Sequence, residues 1–183
     1  MKKLWAAALA AALIPAVTLG AKQAANPVTS AVRTIVAQHG RIMAAAAEEM
    51  PAGEYAFKPT PEQRSFGEIV LHVAQSNAFL CSAITGEKAP MGAKLTASSP
   101  KEALVKAMTD SFTFCDSALG KIDDSTLTTE VPWFGGHKVS RAAALINLAG
   151  DLFDHYGQQA MYLRLKGHLP PTAQPRKKPM GDR

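Results

Sequence analysis

The sequence predicts an all-α fold, a four-helix bundle of up-down topology with one longer crossover, preceded by a signal peptide. Three observations predict it. Four segments carry apolar residues at helical spacing, and each stops at glycine or proline. No stretch between them reads convincingly as a sheet. Of the 183 residues, 47% are hydrophobic, which suffices for one domain with its own core.

The chain opens on Met1-Lys2-Lys3, a basic start. An Ala/Leu-rich run over residues 4–19 and small residues at Gly20 and Ala21 follow. That order marks a secretory signal peptide over residues 1–21, too short and weakly apolar for a comfortable membrane span. The mature protein is therefore expected to be exported, periplasmic or extracellular, with no membrane span once the leader is removed. Removing Lys2 and Lys3 lowers the formal charge from +5 to +3. Much of the remainder sits in Arg176-Lys-Lys178, inside a basic, Pro-rich tail over residues 173–183 that reads as disordered. No basic groove is interleaved with aromatics, so nucleic acid is not an expected partner.

The bundle domain spans residues 28–172. Its first helix is expected over residues 28–50, ended by Pro51-Ala-Gly53. Pro59 and Pro61 keep residues 54–64 irregular. Ser65-Phe-Gly-Glu68 is a capping box, in which each side chain satisfies a free backbone N–H. The second helix runs from it to Thr85 and stops at Gly86. After a polar loop over residues 88–98, Ser99-Pro-Lys-Glu102 repeats the capping-box pattern, with Pro100 at the favoured first helical position. The third helix it opens ends near Leu119-Gly120. Residues 121–139 form the longer irregular connection, and Val131-Pro-Trp-Phe-Gly-Gly-His137 reads as a short turn or hairpin. Trp133 and Phe134 are expected to plug one end of the bundle. Ser140 caps the fourth helix, which runs to Lys166 and is ended by Gly167. Gly150 and Gly157 weaken that helix by about 1 kcal/mol each and leave room for a neighbouring helix or subunit.

The chemistry concentrates in the fourth helix. Asp151 and His155 stand four residues apart, so one helix face presents a carboxylate and an imidazole together. At about 100° per residue, His155 shares its face with Leu148, Leu152, Gln159 and Tyr162. On the second helix His72 lines up with Ile69, Ser76 and Phe79, so both histidines are expected to look inward. His72, Asp151 and His155 make a donor set for a divalent metal ion, and two histidines with one carboxylate suit Zn, Ni, Fe or Mn. Glu68, one turn before His72, and Gln158, beside His155, are candidate partners orienting an imidazole. His137 is a further candidate ligand. Cys81 and Cys115 each fall in a helix. Export permits a disulfide between them, and two buried thiols packed as small hydrophobes are the alternative. No Cys-x-x-Cys pair occurs, which disfavours a thioredoxin-like centre and covalent haem.

The run His155-Tyr-Gly-Gln158 followed by Tyr162-Leu-Arg-Leu-Lys-Gly167, with His72 in Gly67-Glu-Ile-Val-Leu-His72, resembles the DinB-like superfamily. Phe57-Lys-Pro-Thr-Pro61, Ser65-Phe-Gly-Glu68 and Cys81-Ser-Ala-Ile-Thr-Gly-Glu87 extend the likeness, toward the exported branch of that family. The resemblance implies a four-helix bundle, often a homodimer, with a divalent metal held by three side chains. In the family these are usually three histidines, one on the second helix and a His-x-x-x-His pair on the last. Here Asp151 stands where the earlier histidine of that pair is expected, which implies either a two-histidine, one-carboxylate set or a weakened site. Two functions stay open on this reading. One is an exported metal-dependent transferase or hydrolase acting on a small molecule, with thiol substrates fitting poorly outside the cytosol. The other is a non-catalytic bundle with a vestigial or structural metal site, serving binding or assembly.

Overall fold

The computed structural model describes residues 26–92 and 94–175. The expected signal peptide and the tail from residue 176 onward lie outside the described residues. Residues 173–175, expected in the disordered tail, are instead placed: a short 3-10 turn spans Pro171–Ala173, and Gln174 donates to Glu49 Oε2 at 3.0 Å.

Four helices carry the fold: α1 (Pro27–Glu49), α2 (Phe66–Thr85), α3 (Lys101–Leu119) and α4 (Arg141–Leu165). A two-stranded antiparallel hairpin, β1 (Glu130–Pro132) and β2 (Lys138–Ser140), precedes α4, with Val131 opposite Val139. Gly135 and Gly136 at its tip take positive φ, which a side chain resists. Among the described residues no helix is long and apolar enough to cross a membrane.

The helix starts have distinct causes. Pro27 enters α1 in its first turn, and the N–H groups of Val28 and Thr29, which have no partner within the helix, donate to Asp124 Oδ2 and Oδ1, each at 2.9 Å. The cap of α1 is thus supplied by a residue beyond α3. The Ser65–Glu68 capping box forms at the start of α2, with Glu68 N–H donating to Ser65 Oγ at 3.1 Å. The expected box at Ser99 does not form. Pro100 is the cap residue of α3, and Ser99 Oγ turns back to accept the Thr96 N–H at 3.0 Å. Ser140 caps α4 by accepting the Ala143 N–H at 3.2 Å.

Neighbouring helix pairs are α2–α3, α1–α4, α1–α3 and α2–α4, so α1 lies diagonally across from α2 and α3 from α4. Directions follow from end contacts. Asn77 reaches Ser111 and Cys81 reaches Cys115, so α2 and α3 run parallel. Tyr162 near the end of α4 donates to the Arg64 carbonyl before α2, and Arg141 at the start of α4 donates to the Ile84 carbonyl near the end of α2. Hence α2 and α4 run antiparallel. This corrects the expected up-down order: a parallel α2–α3 pair forces residues 86–100 back along the bundle, making that loop the long crossover. Gly67 permits its passage, since a Cβ there would stand 2.9 Å from the Ala97 carbonyl oxygen.

Phe66, Met43, Met50, Leu104, Leu148 and Leu152 are fully buried in the core. Burial of each such side chain contributes about 1.5–3 kcal/mol. Cys81 and Cys115 form a disulfide across the α2–α3 seam, with Cα atoms 5.4 Å apart. Gly150 and Gly157 are exposed, and no atom lies within 4 Å of a Cβ built at either. Among the described residues no other helix therefore uses the room they leave.

Candidate metal centre

The antiparallel α2–α4 seam brings the middle of one helix against the middle of the other. There His72, Asp151 and His155 converge, each offering a donor atom within 4.8 Å of the others. The two imidazole rings meet edge to face, with centroids 4.8 Å apart at 85°. Asp151 Oδ1 stands 3.3 Å from His155 Nε2, and Asp151 Oδ2 accepts the Ser76 hydroxyl at 2.8 Å. Ser76, one turn beyond His72 on α2, thus ties the carboxylate to the opposite helix.

A chain of hydrogen bonds fixes His155. Gln158 Nε2 donates to Asp154 Oδ2 at 2.8 Å, which orients its amide. Gln158 Oε1 then faces His155 Nδ1 at 3.3 Å and can only accept from it. His155 therefore carries its proton on Nδ1, and Nε2 points at Asp151. This is the role expected for Gln158, with Asp154 as a further partner that sequence reading left aside. Glu68 takes a different role: its carboxylate accepts the Ser65 N–H and sits 3.2 Å from Lys58 Nζ, serving the cap of α2 rather than His72. His137 is exposed at the hairpin and stands outside the cluster.

These residues fit a divalent ion. A neutral His155 with Nδ1–H donating to Gln158 leaves the Nε2 lone pair facing a carboxylate oxygen. Two acceptors at 3.3 Å repel unless a proton or a metal ion joins them. Donors around one ion, with bonds of about 2.0–2.2 Å, stand about 3–4 Å apart. The His155–Asp151 spacing already meets that condition, and a gap of 4.8 Å must contract by about 1 Å to reach it.

Electrostatics separates the three groups. The Asp151 hydrogen bond raises the proton affinity of His155 against the opposing effect of burial. Burial lowers that of His72, helped by the positive charge of Arg64. Burial also works to raise Asp151, but the His155 and Ser76 hydrogen bonds outweigh it and hold the carboxyl below its ordinary value. His155 is nearly sealed, whereas His72 is half-buried and the Asp151 side chain keeps 27% of its surface. Both histidines face the seam, and the intermediate burial of His72 and Asp151 leaves the centre partly open to solvent.

Two features flank it. Phe134, 57% exposed, stacks on Phe79 of α2 at 4.6 Å, while the partly buried Trp133 packs against the core. The plug reading suits Trp133; Phe134 stays exposed, stacked on Phe79 and edge-on to Trp133. Toward the other end of α2, a cleft of about 500 Å³ is lined by Glu62, Gln63, Arg64, Gln158, Met161 and Tyr162. A larger apolar groove of about 830 Å³ lies between α2, α3 and the crossover and includes none of the three cluster residues.

The family model of the DinB superfamily matches residues 35–159, which include all three cluster residues. The chain belongs to the DinB superfamily. Its fold is similar to that of a DinB-like protein from Bacillus subtilis, with a TM-score of 0.62 and 24% identity over 80% of this chain and 99% of that one. A DinB family member from Exiguobacterium sibiricum gives a TM-score of 0.57 and 22% identity, covering 79% and 95%. A mycothiol-dependent maleylpyruvate isomerase gives a TM-score of 0.56 and 16% identity, covering 74% of this chain and 65% of that one. No curated protein matches the chain.

Proposed function

We propose that this DinB superfamily member binds one divalent metal ion through His72, Asp151 and His155 and acts as an exported transferase or hydrolase on a small molecule. One observation carries the reading: two imidazole nitrogens and a carboxylate oxygen converge within 4.8 Å in a seam open to solvent beside His72. A bound divalent ion would supply Lewis acidity at that point. Ser76 and the Asp154–Gln158 relay hold the donors in place. Export rests on the basic, Ala-rich N-terminus and gains support from the Cys81–Cys115 disulfide, which persists in oxidising compartments. A homodimer is part of the proposal. Ile146, Phe153 and Met161 stand exposed along α4 with Gly150 and Gly157 between them, a surface suited to a second copy. Sedimentation of wild type beside Phe153→Asp tests that part, with a dimer expected only for wild type.

The competing reading is a non-catalytic bundle with a vestigial site. It is favoured by the bonds Asp151 already makes, to His155 and to Ser76. Metal content decides between the two. Mass spectrometry on mature protein is expected to find about one metal per chain in wild type and none in the His72→Ala/His155→Ala double variant. A wild type that stays empty after incubation with Zn, Ni, Mn and Fe(II) would overturn the metal reading.

A further inference from the structure

The cleft beside the candidate metal centre carries a cation, Arg64, that forms no ion pair among the described residues. Lys58 and Lys166, its basic neighbours, are paired, with Glu68 at 3.2 Å and Glu54 at 3.5 Å. Arg64 takes part in no ion pair or side-chain hydrogen bond among the described residues; only its carbonyl oxygen is engaged, by the Tyr162 hydroxyl at 2.7 Å. Its backbone is therefore pinned while its guanidinium stays free. Gln63 beside it uses Oε1 to accept weakly from Tyr162 at 3.5 Å, and its amide nitrogen has no partner among the described residues. Both side chains line the cleft of about 500 Å³. The opposite wall of that cleft is Gln158, the residue that holds His155. An exposed guanidinium and the amide that orients His155 thus line one cleft, on the Nδ1 side of that imidazole.

A carboxylate is the group this arrangement fits. A guanidinium offers a planar fork of N–H donors that matches a carboxylate with two parallel bonds, and Gln63 adds a neutral donor. With two neutral imidazoles, one carboxylate and a divalent ion, the centre itself carries a net positive charge, so both the centre and the cleft favour an anion. Glu62 is the opposing element: it lines the same cleft without pairing with Arg64. Its charge restrains anion binding and selects against ligands with several negative groups.

We infer that the substrate is a small carboxylate-bearing molecule, anchored by Arg64 and Gln63 so that its remaining atoms reach the His72–Asp151–His155 centre. This rests on the metal reading for the far end of the ligand only; the anchor is a property of Arg64.

The test uses propionate as the probe, with uncharged propionamide as control, on mature protein in metal-free and zinc-loaded forms. Binding is followed by the 15N shift of the Arg64 side chain and by titration calorimetry. Propionate is expected to shift Arg64 saturably in both forms, more tightly with zinc, and propionamide to leave it unmoved. Arg64→Gln should weaken propionate binding at least tenfold, Arg64→Lys about threefold because an ammonium lacks the fork, and Glu62→Gln should strengthen it. Unchanged zinc content in all three variants shows that the fold and centre survive. Equal propionate affinity in wild type and Arg64→Gln overturns the inference, as does a wild type that takes zinc but gives no saturable Arg64 shift. A wild type that takes no zinc yet shows the Arg64-dependent shift removes the metal reading and keeps the anchor.

Discussion

Helix α2 is shared by two seams of opposite character. Toward α3 it is closed by a cross-link beside the apolar groove: the Cys81–Cys115 disulfide and the buried Asn77–Ser111 hydrogen bond lock two parallel helices together. Toward α4 it is polar and partly open, with His72 and Ser76 facing Asp151 and His155. The contrast shows how a bundle can carry a set of polar groups that contributes little to folding. One face of the helix is held covalently, so the other keeps its geometry without a continuous apolar contact. Removing either seam separately tests whether the division holds.

The largest effect is expected from the closed seam. Replacing both cysteines by alanine releases a loop of 34 residues, and the chain-entropy cost is about 4 kcal/mol. Chemical denaturation should register that loss, while zinc affinity of the folded protein changes by less than about twofold, since the sites share no partner. A parallel fall in affinity would show that the seams are coupled and break the comparison.

Acid should act on the open seam. The raised proton affinity of His155 means that an incoming ion must displace a proton there, so zinc affinity is expected to fall steeply as pH drops through the raised His155 value. In the metal-free protein the sign reverses for this group. Its stabilising pairing with Asp151 is fully present below the ordinary histidine value and is lost as pH rises through the raised one. The lowered Asp151 contributes above the ordinary carboxylate value and loses that contribution as pH falls through its own. Calorimetry between pH 5.5 and 8, in buffers of different ionisation enthalpy, would count the proton released. Zinc affinity independent of pH would remove His155 as a ligand.

Smaller effects fall on the relay. Gln158→Ala should cost about tenfold in zinc affinity by freeing the His155 ring, with little change in unfolding free energy. Asp154→Ala acts one bond further out, on a side chain that is 68% exposed. About a threefold loss is expected there, below the roughly tenfold lower limit for partners that touch the ligand directly. An Asp154 variant weaker than the Gln158 variant would reverse the order of the relay and call for a direct Asp154 contact to His155, which stands at 3.9 Å.

Much of the fold was legible because its signals are local. Ser65, Glu68, Gly86, Ser140 and Gly167 set helix ends through bonds within a few residues, and the helices fall within about one residue of the expected spans. Ser99 shows the limit: the pattern of a capping box was present, but Pro100 took the cap position and the serine found Thr96 instead. Parallel α2 and α3 were not legible, because residues 86–100 can close a turn or span a bundle, and only cross-helix pairing decides. At the site, the four-residue spacing of Asp151 and His155 fixed one face, and His72 followed from its stripe. Ser76 stood on the His72 stripe without a role, and Asp154 lay outside the stripe, because their roles depend on partners across a seam or on an amide's orientation. Arg64 escaped because it precedes a helix, where no periodicity marks which way a side chain faces.

The cap of α1 sets an order of events in the growing chain. The N–H groups of Val28 and Thr29 wait for Asp124, 96 and 95 residues later. Of the four helices, the one that leaves the ribosome first cannot finish its own start until α2, the crossover and α3 have all followed. Vectorial emergence therefore delivers the N-terminal helix early and completes it late, and a truncation before Asp124 would leave its leading turn frayed.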